Sequence, residues 1–219
     1  MLFTHTHDDH TIGLGFFGLA YDPQARIELI ASKEHLNSLK MHYCFRSKMF
    51  PVDLTRMPGV KEVKEFNGLI RWDGFEIETF KLNHPQGSYG FIINAEGKKI
   101  VIATDHEHEE NLFEIGKKDK QFIEKVKGSD LILVDAQYTP LEYSPKQLNR
   151  DGLCRVGWGH STDEKIIRMC LEAKIDLILL THHDPNHSDK FLLERLNYLQ
   201  ELFKTRKIEY AKQGEVIVI

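Results

Sequence analysis

Side chains that could hold metal ions are concentrated at the start of the chain. His5, His7 and His10, together with Asp8 and Asp9, place three imidazoles and two carboxylates within six positions. This ligand set suits zinc, manganese or iron better than calcium or magnesium. Packing so many polar groups together costs stability unless a cation holds them. The cluster therefore predicts two neighbouring metal ions, one held by His5 and His7 and the other by Asp9 and His10.

The residues before this cluster predict a short strand. Leu2 and Phe3 are apolar, and side chains alternate along a strand, so His5 and His7 are expected to point to the same face. Asp9 and His10 then follow where the strand must end and where the chain can turn toward a second ion.

Further candidate ligands follow predicted strands later in the chain. Predicted strands cover residues 75–82, 99–103, 130–135 and 176–180, and the polar residues that end or follow them are, in order, His84, Asp105, Asp135 and His182. Loops at strand ends on a rigid sheet are a common place for a hydrolase site. A helix over 164–173, with Ser161 or Thr162 as its N-cap, and a closing strand over 216–219 complete this part of the prediction.

Several other residues are weaker candidates. Asp135 could fix the tautomer of a histidine, and a purely structural role fits its position equally well. Trp158 and Tyr138 could line a pocket, although simple packing is the favoured role for each. His106 and His108 are predicted to be loop residues without a site role.

Composition limits the class of protein. The chain has 219 residues and 41% hydrophobic content, which predicts one domain over 1–219. A net charge of -4 and a pI near 6.3 argue against a large basic surface for duplex nucleic acid. Three cysteines without metal spacing indicate a reducing compartment. Because no apolar run reaches membrane-spanning length and no signal peptide is visible, a cytoplasmic location without a membrane partner is expected.

The motif His-x-His-x-Asp-His resembles the signature of the metallo-β-lactamase superfamily of binuclear metal hydrolases. The resemblance covers nearly the whole chain and implies an α/β fold, an αββα sandwich. It also implies two divalent metal ions, with zinc preferred over manganese or iron. By this resemblance one ion is held by His5, His7 and His84, the other by Asp9, His10 and His182, and Asp105 bridges them.

One departure from the family concerns the N-terminus. Family members carry several strands before the motif, whereas here the motif begins at residue 5. The first sheet is therefore expected to be incomplete, through a truncated start, a true variant or strands supplied by another copy. An unpaired sheet edge would favour a homodimer.

Two segments are similar to the ribonuclease Z branch of the superfamily. They are residues 9–14 and 159–162, and in that branch the histidine before Ser-Thr assists the leaving oxygen of a phosphodiester, a role that His160 matches. His84 and Asp105 are only 21 positions apart, which leaves no room for the long arm of ribonuclease Z. The small phosphodiesterases of this branch are therefore the better match.

The sequence predicts a phosphodiesterase that acts through a metal-bridging hydroxide on a small phosphodiester or nucleotide. Asp9 would bind metal and orient the hydroxide, and His160 would donate a proton to the leaving alkoxide. Two alternatives stay open. The same centre could hydrolyse an ester, thioester or lactam, or the chain could be a truncated metal-binding protein with little turnover.

Overall fold

The computed structural model describes residues 1–44, 50–72 and 74–219. Contacts between residues divide the chain into two compact units, Met1–Ile70 and Arg71–Ile219. The prediction of one domain over the whole chain stays a prediction. The pair Asp73-Gly74 is typical of a hairpin turn between two strands, and Asp73 lies outside the described residues. Within the described ranges, every helix is too short or too polar to span a bilayer.

The first unit is built around two parallel strands and one longer helix. Its elements are α1 (Asp8–Thr11), β1 (Ile27–Ala31), α2 (Lys33–His42) and β2 (Val60–Glu65), with 3-10 turns at Ile12–Phe16, Gly18–Tyr21 and Leu54–Arg56. Ser32 caps α2 by accepting a hydrogen bond from the backbone N–H of His35, as its position predicts. Buried apolar residues, including Leu29, Leu39 and Met57, form the core of this unit.

The second unit contains a seven-stranded sheet with helices, and the first strand of this sheet begins two residues before the unit boundary. Its elements are β3 (Leu69–Trp72), β4 (Phe75–Leu82), β5 (Ser88–Ala95), β6 (Lys98–Ala103), α3 (Lys117–Val126), β7 (Leu131–Asp135), α4 (Pro140–Tyr143), α5 (Asp163–Glu172), β8 (Leu177–Thr181), α6 (Asp189–Leu202) and β9 (Ile208–Tyr210), with a 3-10 turn at Pro145–Leu148. The strands are ordered consecutively from β3 to β9.

Strand direction explains why the site residues of this unit meet. Strands β4, β5 and β6 pair antiparallel, and β6, β7, β8 and β9 pair parallel. Strands β4, β6, β7 and β8 therefore run in the same direction, and their carboxyl ends lie along one edge of the sheet. Buried aliphatic residues of β6, β7, β8 and α5, such as Val101, Val134, Leu180 and Ile166, form the core that keeps this edge rigid.

Two predicted strands are wrong. Residues 216–219 form no strand, and Val216 and Val218 are 88% and 93% exposed. The last strand is β9 instead, because Ile208 and Tyr210 pair with β8 and bury Ile208 in the core. The opening segment is the second error, since only Leu2 forms an isolated bridge, to Ile30.

Candidate metal centre

Three histidines of the first unit converge at its N-terminus. The ring centroids of His5 and His7 lie 4.5 Å apart, and those of His5 and His10 lie 4.3 Å apart. Asp9 is close to the same group, with its Oδ2 3.4 Å from Nε2 of His10. We call His5, His7, Asp9 and His10 the N-terminal cluster. His5 is buried, so this concentration of imidazoles is not a simple solvated surface.

The alternation of side chains predicts that the N-terminal cluster lies on a strand. The structure instead places it at the start of a helix. Backbone pairing with β1 ends where Phe3 donates a hydrogen bond to the carbonyl of Ile30. With no further partner strand, the chain turns, and His7 becomes the N-cap residue of α1. This helical turn folds His10 back toward His5, which brings together three rings where an extended strand would align only two.

Five residues of the second unit form another group, which we call the strand-end cluster: His84, Asp105, Asp135, His160 and His182. Four of them, Asp105, Asp135, His160 and His182, offer ligand atoms that lie within 4.8 Å of one another. Nε2 of His182 is 3.2 Å from a carboxylate oxygen of Asp105. The ring of His160 stacks on that of His182 at 4.5 Å and meets that of His84 edge-on at 5.3 Å.

Asp135, at the end of β7, holds His160 in place. Its fully buried carboxylate accepts a hydrogen bond from Nδ1 of His160 at 2.7 Å. The same carboxylate accepts three backbone N–H groups, from His106, Gln137 and Ser161. Burial raises the pKa of Asp135 above its usual range, and the hydrogen bond from His160 opposes that rise. The bond occupies Nδ1, so Nε2 is the atom of His160 left for chemistry.

His84 is fixed by the turn that precedes His160. Its Nδ1 donates to the carbonyl oxygen of Gly159 at 2.8 Å, because a carbonyl can only accept. Gly159 has a φ of +95°, and a Cβ atom there would lie 2.2 Å from Nδ1 of His84. The position therefore requires glycine for both backbone angle and space. Nε2 of His84 is the candidate ligand atom.

His182 directly follows β8 and has a φ of 59°, in the left-handed region. Few residues with a Cβ atom adopt this conformation, and it costs roughly 1–2 kcal/mol. It turns the chain sharply at the sheet edge, where the imidazole meets Asp105 and His160.

His106 and His108, predicted as loop residues without a site role, are buried supports of the cluster's loops. The ring of His106 stacks on Phe122 at 4.3 Å, and Nε2 of His108 accepts a hydrogen bond from the backbone N–H of Thr162. Burial lowers the pKa of His106 to about 3 and that of His108 to about 4, so both rings are neutral near pH 7. Their burial depends on residues from α3 and the start of α5, which the local sequence does not reveal.

The two aromatic candidates near His160 differ in exposure. Tyr138 is buried and packs edge-on against His160, whereas Trp158 is 51% exposed. The guanidinium of Arg155 lies 5.2 Å from the ring of Tyr138 and 5.8 Å from that of Trp158. An exposed indole beside a cation, two residues before His160, provides a flat surface and a positive charge.

The donors fit a metal ion. In the N-terminal cluster three imidazole rings and one carboxylate lie close together. In the strand-end cluster four ligand atoms lie within 4.8 Å of one another, and both carboxylates are buried. This chemistry suits zinc, manganese or iron. The structure groups His5, His7, Asp9 and His10 in one unit and His84, Asp105 and His182 in the other, while their assignment to particular ions stays a prediction.

Sequence reasoning missed one residue that contacts these loops. Glu107 accepts hydrogen bonds from the backbone of Gly157 and Gly159, next to His160. The signal that the sequence does offer is the pair of glycines around Trp158, which fits a tight turn but does not identify its acceptor.

Comparison with known proteins identifies the fold. The Bacillus subtilis metallo-beta-lactamase fold protein YhfI matches with a TM-score of 0.68 and 16% identity, over 98% of this chain and 75% of that one. A diphosphatase from the PhnP family matches with a TM-score of 0.65 and 19% identity, over 98% and 68%. The short form of human tRNase Z matches with a TM-score of 0.60 and 17% identity, over 100% and 78%.

A search of curated proteins found no match. The family model described as the beta-lactamase superfamily domain matches residues 1–183, which span both clusters. The α/β architecture with its large sheet agrees with the metallo-β-lactamase fold that the motif predicted. The chain therefore belongs to the beta-lactamase superfamily and has the metallo-β-lactamase fold.

Proposed function

We propose that this protein is a binuclear metal-dependent phosphodiesterase that hydrolyses a small phosphodiester or nucleotide. Superfamily membership and the two clusters of donors support a metal-dependent hydrolase. The observation that favours phosphodiester chemistry is the Asp135–His160 pair beside Asp105 and His182, since it offers a held imidazole next to candidate metal ligands.

The assignment of the donors to ions follows the order of the family motif. His5, His7 and His84 would hold one ion, Asp9, His10 and His182 the other, and Asp105 would bridge them, as the order of the family motif implies. Two divalent ions, when bound, supply a nucleophile from water at neutral pH and neutralise charge on a phosphoryl oxygen. Zinc is the preferred ion, because imidazole donors outnumber carboxylates. Asp9 is proposed to orient the nucleophile as well.

His160 is proposed to act as the proton donor. Asp135 accepts the hydrogen bond from Nδ1 of the imidazole, so a proton carried on Nε2 is the one that would be given to the leaving oxygen. The imidazole is 13% exposed, so it is accessible to a substrate even though its carboxylate partner is completely buried. Trp158 and Arg155 would contact the leaving group or base through stacking and charge.

The test is hydrolysis of bis-p-nitrophenyl phosphate by zinc-loaded protein, with the His160→Ala variant. We expect kcat to fall about 10²–10⁴-fold, the usual contribution of a general acid. His187→Ala is the matched control, because His187 also bonds a carboxylate, that of Glu142, at 2.8 Å but is outside both clusters. Full turnover in His160→Ala would remove His160 from the mechanism.

The same preparation separates the alternative functions. Elemental analysis counts the bound metals, and nitrocefin and acyl thioesters are assayed beside the phosphodiester. Turnover of those substrates alone would favour an ester, thioester or lactam hydrolase. Two bound metals without turnover of any of them would favour a metal-binding protein.

A further inference from the structure

Glu107 links three loops of the second unit. It follows Asp105 by two residues and is only 6% exposed. Its carboxylate accepts three hydrogen bonds, from the hydroxyl of Tyr143 at 2.7 Å, the N–H of Gly157 at 2.6 Å and the N–H of Gly159 at 2.8 Å. Its own backbone N–H donates to the carbonyl of Asn83, immediately before His84.

These contacts determine where two site histidines lie. Gly157 and Gly159 both have positive φ, and the N–H groups of both point at Glu107. The N–H of Gly159 is buried, so it needs such an acceptor. The carbonyl of Gly159 receives Nδ1 of His84, and the next residue is His160. A displacement of this turn would therefore change the orientation of both imidazoles.

We infer that Glu107 is a positioning residue, whose carboxylate sets the turn at Gly157–Gly159 and thereby orients His84 and His160. Glu107 does not itself need to touch substrate or metal. The effect of Glu107 on catalysis rests on the proposed function. Its effect on the orientation of the two imidazoles does not.

The variant Glu107→Gln keeps the shape of the side chain and removes its charge. A glutamine amide offers one oxygen and one NH₂ group, so at least one of the three donors would face another donor. Glu142→Gln is the matched control. Glu142 also accepts three hydrogen bonds, from the N–H and hydroxyl of Thr139 and from His187, but none of them involves a site histidine.

The first measurement is NMR of the imidazole N–H protons in metal-free protein. We expect the hydrogen-bonded Nδ1 protons of His84 and His160 to shift or to broaden by exchange in Glu107→Gln and to stay unchanged in Glu142→Gln. The inference is overturned if both signals are unchanged in Glu107→Gln. This readout does not depend on whether the protein hydrolyses phosphodiesters.

The second measurement is zinc affinity, by competition with a chromophoric chelator. Residues that orient metal ligands typically contribute 10–100-fold to affinity. We expect Glu107→Gln to lose affinity in that range and Glu142→Gln to match the wild type. Equal affinity of the two variants would contradict the inference, whereas failure of the wild type to bind zinc would contradict the proposed function.

A milder variant keeps the inference testable if Glu107→Gln does not fold. Tyr143→Phe removes one of the three donors and leaves both glycine contacts in place. We expect smaller shifts of the same two proton signals, and unchanged signals would count against the inference.

Discussion

Asp119 and Asp135 are both buried carboxylates of the second unit, but they bond to different partners. Asp119 pairs with the ammonium of Lys165 at 2.7 Å, and both side chains are 1% exposed. Lys165 also donates to the carbonyls of Glu109 and Asn111, so all three of its protons have acceptors. Asp135 instead holds His160, whose imidazole is 13% exposed.

Under the proposed function, this difference separates a structural pair from a catalytic one. The ammonium of Lys165 is enclosed and fixes the loop of residues 109–111 to α5. An imidazole that is held on one nitrogen and partly exposed can exchange a proton with a substrate through its other nitrogen. Burial of a carboxylate alone therefore does not indicate function, whereas the identity and exposure of its partner do.

The largest expected effect is on turnover in Asp135→Asn. The imidazole of His160 would lose the buried carboxylate that holds its Nδ1. We therefore expect kcat to fall about 10²–10⁴-fold. The measurement is hydrolysis of bis-p-nitrophenyl phosphate, with Asp119→Asn as the paired variant, assayed at a temperature where both are folded. Equal losses in the two variants would show that the distinction between the pairs is wrong.

A second substitution tests the structural pair. Lys165→Met leaves Asp119 buried without its cation, and such losses cost about 3–5 kcal/mol of unfolding free energy. Urea denaturation followed by circular dichroism measures it. We expect the double variant Lys165→Met, Asp119→Leu to regain much of the loss, because an apolar replacement leaves no unpaired charge. A double variant as unstable as Lys165→Met would contradict this account.

The smallest expected effect is on the pH dependence of the unfolding free energy, to which the Asp119–Lys165 pair contributes. Burial tends to raise the pKa of Asp119, but Lys165 and the N–H groups of Glu109 and Gly116 outweigh it and hold the pKa below 3.8. A carboxyl with a depressed pKa stabilises the fold above its unfolded pKa, and this stabilisation is lost as pH falls through the folded value. The unfolding free energies of wild type and Asp119→Asn should therefore differ more at pH 6 than at pH 3. A constant difference would show that Asp119 has no depressed pKa.

Local patterns predicted much of the candidate site. His5, His7 and His10 are near one another in the chain, and the strands before His84, Asp105 and His182 show clear alternation or apolar runs. The helix after Thr162 and its cap also follow from sequence, as Thr162 accepts the N–H of Lys165. In each case the information lies within a few residues.

The two wrong strand predictions and the missed Glu107 all depend on partners that are distant in the sequence. The opening segment is apolar enough for a strand, but its pairing with β1 ends at Phe3. Val216 to Ile219 have strand-forming side chains, whereas the position beside β8 is taken by Ile208 and Tyr210. Glu107 could not be recognised because its three donors are 36, 50 and 52 residues away.

At His182 the left-handed backbone lowers the stability of the fold, whereas the imidazole is a proposed metal ligand. Glycine or asparagine would relax that conformation, so a search for stabilising substitutions would favour either of them there. Both would remove the imidazole beside Asp105. An engineer who wishes to make this chain more heat-resistant should leave residue 182 alone and change sites remote from the sheet edge.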